Sequence, residues 1–88
     1  MKITLSNSYT VKSNDMLYNV NHTGRRPVVR AYVAQGEVQT VHGRQALAAR
    51  PEGGLSTFIL DENFLNGETP SALYTTREEA LADIEANY

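Results

Sequence analysis

Val28-Val29-Arg30-Ala31-Tyr32-Val33-Ala34-Gln35-Gly36-Glu37-Val38-Gln39-Thr40-Val41 is the stretch on which the fold turns. Its first seven residues are rich in β-branched and aromatic side chains and alternate with period two, which argues for a strand. In this reading Val29, Ala31 and Val33 face the core, while Arg30 and Tyr32 face the other way. Pro27 suits the first position of such a strand, because it lacks a donor and has a fixed φ. Gln35-Gly36 is a short connection, and Glu37 to Val41 reads as a second strand that returns as a hairpin.

Outward toward the N-terminus, Ile3 to Leu5 and Tyr9 to Lys12 are short β-prone runs. Ser13-Asn14-Asp15 is a turn cluster. Met16 to Val20 alternates, with Met16, Tyr18 and Val20 on one side and Leu17 and Asn19 on the other. Toward the C-terminus, His42-Gly43 ends the second strand. Arg44 to Arg50 holds strong helix formers over about two turns, and Pro51-Glu52-Gly53-Gly54 stops it. Leu55 to Leu60 reads as a well-buried strand. Asp61 to Ser71 reads as a loop anchored by Phe64 and Leu65, and Ala72-Leu73-Tyr74 as a short extended run.

Thr76-Arg77-Glu78-Glu79 fits a capping box, in which the Thr76 hydroxyl and the Glu79 carboxylate satisfy free amides of a first helical turn. Acidic residues there also match the helix dipole. Ala80, Leu81, Ile84 and Tyr88 recur at helical spacing and form a stripe suited to a sheet face. The expected fold is therefore α+β: one domain over residues 1–88, an antiparallel sheet of about four to six strands, and a C-terminal helix packed on one face.

The 88 residues include no cysteine, which excludes disulfides, thiolate metal sites and cysteine nucleophiles. The N-terminus lacks the apolar run of a signal peptide, and no stretch approaches the ~20 apolar residues of a membrane span. Together these predict a cytoplasmic protein with no membrane contact. Gly-x-x-x-x-Gly-Lys, Gly-x-Gly-x-x-Gly and Gly-x-Ser-x-Gly patterns are all missing. His22 and His42 lie far apart with no spacing that suits a metal. Asp61-Glu62 opens a loop, and Glu78-Glu79 has a structural reason to open a helix. The sequence thus predicts no catalytic residue, no metal and no cofactor.

Charge is divided along the chain. Residues 1–50 carry Lys2, Lys12, Arg25, Arg26, Arg30, Arg44 and Arg50 against Asp15 and Glu37, a net of +5, whereas residues 51–88 carry Arg77 against eight carboxylates, a net of −7. Such asymmetry marks an interaction surface, or else two halves that neutralise one another on folding. His22, Arg25, Arg26 and Arg30 surround a glycine turn, with Tyr32 and Tyr18 as stacking faces and Arg44 as a further cation. Guanidinium groups bind phosphate or carboxylate through paired donors, so this set suits an acidic protein, a nucleic acid or a nucleotide. Glu78, Glu79 and Asp83 form the opposing acidic face on the last helix.

The segment Tyr74-Thr-Thr-Arg-Glu-Glu-Ala-Leu-Ala-Asp-Ile resembles the strand-then-capped-helix ending of arm-type DNA-binding domains of phage integrases. Its helix is acidic and the chain has extra strands, and both features depart from DNA binding of that type. In size, lack of cysteine and lack of an active-site motif the whole chain resembles small bacteriophage accessory proteins, including anti-CRISPR-type inhibitors. With no catalytic motif and two oppositely charged surfaces, the chain is expected to be a non-catalytic binding module, of the inhibitor or regulator type that this resemblance suggests, occluding a surface of a host or defence protein. The alternative is nucleic-acid or nucleotide binding through residues 1–50. The expected state is a monomer, or a homodimer through an edge strand at Val28 to Ala34 or Tyr9 to Lys12.

Overall fold

In the computed structural model, which describes residues 1–21, 26–66 and 72–87, the turn cluster at Ser13-Asn14 delivers the chain into β1 (Met16–Asn21). Asn14 takes a positive φ of 74° there, a conformation that Asn tolerates better than most side chains. Among the described residues five further strands follow: β2 (Val28–Ala34), β3 (Gln39–Val41), β4 (Arg44–Pro51), β5 (Phe58–Leu60) and β6 (Leu73–Tyr74). A one-turn helix α1 (Glu62–Leu65) follows β5, and α2 (Arg77–Asn87) follows β6. All strand pairings are antiparallel: β6, β1, β2 and β4 are successive neighbours, β3 also pairs with β4, and β5 pairs with β4 on the edge away from β2. The α+β expectation of a four- to six-stranded sheet with a C-terminal helix on one face is met. Among the described residues no helix is long and apolar enough to cross a membrane.

Register decides which side chains share a face. Leu17 pairs with Tyr32, Asn19 with Leu73, Ala34 with Ala49, and Leu47 with Leu60. These residues line one face, where Ile3, Val11, Val38 and Leu65 complete the main core. The opposite face presents Val20, Val29, Tyr18 and Tyr74 to Ala80 and Ile84 of α2. The predicted facing of β2 is therefore corrected. Tyr32 and Ala34 enter the main core, while Val29 turns to α2. Both sheet faces are covered at this strand, so apolar residues stand on both and the alternation does not name the larger core.

The Arg44 to Arg50 helix is also corrected, because this segment is β4. Two turns of helix repay nucleation poorly, whereas β4 pairs along both edges, with β2 and β3 on one and β5 on the other. Its period-two residues Leu47 and Ala49 are buried in the main core. Context of this kind overrides alanine's helix preference. The hairpin partner of β3 is accordingly β4 and not β2. Gln35 donates from its main chain to Ala48 at 2.8 Å. That bond and the register place β2 and β3 along the same edge of β4, interrupted by a bulge at residues 35–38.

Tyr9 to Lys12 is not a strand, since Ser8–Thr10 forms a 3-10 turn. Of the first run, Ile3 donates to Leu73 at 2.8 Å and Lys2 bridges Tyr74, so residues 1–3 border β6. Leu55 to Leu60 is shorter and more open than expected. Only Phe58–Leu60 is strand, and only Leu60 is buried. Within the expected loop, Asp61 caps α1 by accepting from the Asn63 amide at 3.0 Å. Leu65 is fully buried and Phe64 packs beside it, as an anchor should. On α2, Ala80 and Ile84 meet the sheet but Leu81 faces solvent, and Tyr88 lies outside the described residues.

Candidate interaction surfaces

His42 and Gly43 link β3 to β4, with φ of 52° and 77°. Two successive positive φ values in a two-residue loop make a type I′ hairpin turn, whose twist matches that of the strands. His42 therefore has a backbone role, and its ring is exposed. Among the described residues no three His, Asp or Glu side chains could hold a metal ion.

The basic set does not gather at one place. His22 and Arg25 lie outside the described residues. Arg26 and Arg30 are exposed near the start of β2. Arg44 is exposed at the start of β4, and since Tyr32 pairs with Pro51 it lies at the opposite end of the sheet from Arg30. Tyr32 belongs to the main core, because its place opposite Leu17 turns the ring inward, so it offers no open face for stacking. Tyr18 is half-buried between Tyr74 on β6 and α2, with the Arg77 guanidinium 5.3 Å from its ring centroid. That contact is a cation–π pair within the fold.

The acidic face is sorted in the same way. Thr76 accepts from the Glu79 amide at 3.3 Å, as a capping residue should. The Glu79 carboxylate does not return to a main-chain amide of the first turn. It binds the Met1 ammonium and accepts from the Thr76 hydroxyl at 2.9 Å. The bond from the ammonium, followed by that from Thr76, holds the Glu79 carboxyl below the ordinary glutamate range. Asp83 is half-buried and accepts from the Asn87 side-chain amide at 2.7 Å. Glu78 and Glu85 are exposed and face solvent together with Leu81. Among the described residues the Met1–Glu79 contact is the sole ion pair, so no described side-chain cation of the basic half is paired with a described carboxylate of the acidic half.

One concave surface was not foreseen from the sequence. A groove of about 360 Å³ runs along β4 on the sheet face that carries α2, beyond the helix itself. Ala46 and Ala48 make its floor. Val41 and Arg44 flank it on the β3 side, and Ile59 and Asp61 on the β5 side. Small residues between larger neighbours leave a trough, and only a strand at Arg44–Pro51 puts them in that order. The usable sequence signal was His42-Gly43, a two-residue turn demanding strands on both sides. No protein-family profile, curated protein or solved structure matches this chain.

Proposed function

We propose that this protein is a non-catalytic binding module that covers a surface of a partner protein, in the manner of the small inhibitors and regulators among phage accessory proteins. The observation that carries the proposal is the uncompensated charge. Arg26, Arg30 and Arg44 are exposed with no ion pair, as are Glu78 and Glu85 on α2. Charges left free by the fold steer encounter with a partner of complementary pattern. The β4 groove adds an apolar floor bordered by one cation, Arg44, and two carboxylates, Glu37 and Asp61, which resembles the apolar centre and polar rim of protein interfaces. A nucleic-acid site is less well supported, because Arg44 lies at the opposite end of the sheet from Arg26 and Arg30 and the Tyr18 and Tyr32 rings are engaged within the fold.

The test begins with affinity capture from bacterial lysate, with and without nuclease, followed by purification of the captured partner. Binding is then measured for Arg26→Glu/Arg30→Glu, for Glu78→Lys/Glu85→Lys and for Ala48→Arg. At least one of the three should weaken binding by about tenfold or more, equivalent to about 1.4 kcal/mol, with an unchanged circular dichroism spectrum. Wild-type affinity for all three would overturn the assignment of surfaces. Capture that is lost on nuclease treatment, with affinity for DNA or RNA falling steeply as salt rises, would replace the proposal with a nucleic-acid one.

A further inference from the structure

We propose that β5 is the seat of a two-fold dimer, in which the segment around Phe58 pairs antiparallel with the same segment of a second copy. The Gln45 amide points toward α1, donating to the Glu62 carboxylate at 3.2 Å. Main-chain groups alternate along a strand, so Leu47 and Ala49 also direct theirs to that edge, toward Leu60 and Phe58. Ile59 and Thr57 consequently turn their N–H and C=O groups to the free side of β5. Among the described residues no strand lies on that side.

Natural edges are blunted by charge, proline or a bulge. Leu55-Ser56-Thr57-Phe58-Ile59-Leu60 has no charged residue and no proline. Apart from the buried Leu60, its apolar side chains stand open: Leu55 is 99% exposed, Phe58 52% and Ile59 64%. An unpaired row of main-chain donors and acceptors selects another strand as its complement.

Charge selects the second copy as that strand. A two-fold axis at Phe58 sets Phe58 against Phe58, in the close non-hydrogen-bonded position where aromatic pairs gain most. It sets Thr57 against Ile59, with hydrogen bonds in both directions. The nearest charge, Asp61, falls opposite Leu55 of the other copy and not opposite a second carboxylate. The segment is thus complementary to itself without repulsion, and its uncharged edge offers nothing to favour a charged peptide. Antiparallel pairing about a two-fold axis also closes, which leaves no free β5 edge for further growth.

Sedimentation equilibrium of the full chain from micromolar to millimolar concentration is the test. The apparent mass should rise from that of one chain to that of two. Phe58→Lys and Phe58→Glu should each stay monomeric across the range, and their equimolar mixture should form a heterodimer. Thr57→Pro removes one outward N–H, no main-chain bond to β4, and the Thr57 hydroxyl bond to Gln35 that Thr57→Val removes alone; Thr57→Pro should therefore weaken the dimer by about tenfold or more and Thr57→Val should not, both with an intact circular dichroism spectrum. Thr57→Pro decides the matter if either Phe58 variant fails to fold. A wild-type mass of one chain throughout, growth beyond two chains, dimers of Thr57→Pro as tight as wild type, or folded Lys and Glu variants that do not combine would each overturn the proposal.

Discussion

Gly43 sits at a φ of 77° with nothing near the place where a Cβ would stand, so any penalty for a side chain there is conformational and not steric crowding. Gly43→Ala should cost on the order of 1 kcal/mol, and His42→Asn, which enters the left-handed region more readily, should gain a few tenths. Urea denaturation of both variants checks the pair. Glu79 gives a pH-dependent counterpart. Its carboxyl is held below the ordinary range, so the unfolded chain takes up the proton before the folded one does. The resulting stabilisation is complete above the unfolded glutamate value of about 4.3 and fades as pH falls through the lower folded value. Glu79→Gln should therefore be less stable than wild type at pH 7, with the gap closing in strong acid. A gap of equal size at both extremes would remove the ionised carboxylate from the explanation.

At the scale of elements, β4 carries the sharpest contrast between propensity and outcome. Ala48 lies opposite Ile59 on the groove floor. Ala48→Val should be neutral or stabilising by up to about 1 kcal/mol, since a β-branched pair across two strands is favourable. In a helix the same change would cost about half a kcal/mol. The elements that were legible each spoke through a local rule. Met16 to Val20 alternated, Val28 to Ala34 was β-branched, and Thr76 to Glu79 had the spacing of a cap. Arg44 to Arg50 had alanines and no alternation of its own, and only neighbours distant in sequence make it a strand. The same gap hid the groove, because Ala46 and Ala48 become a floor only once β3 and β5 flank them. Arg44 was visible as a cation, but its companions Asp61 and Ile59 were not. The depth of Tyr32 followed from its register with Leu17, which no property of Tyr32 itself discloses.

For the whole molecule, the main core depends on residues far from the sheet's central strands. Ile3, fully buried beside Leu73, closes that core from the N-terminal side. Ile3→Ala should cost about 2–5 kcal/mol, because the strands around it have little freedom to collapse into the space. A Tm shift on thermal unfolding would read this directly. The early residues reach β6 in two more places, through the Lys2–Tyr74 bridge and the 2.9 Å bond from the Thr75 amide to the Met1 carbonyl. β6 thus lies between the first three residues and β1, although more than fifty residues separate it from either. Contacts of such span raise contact order and slow folding toward the millisecond-to-second range of non-local topologies. On the ribosome, the edge at residues 1–3 stays unpaired until Leu73 and Tyr74 have emerged, so the first residues to leave the tunnel wait on some of the latest described strand residues for their partners.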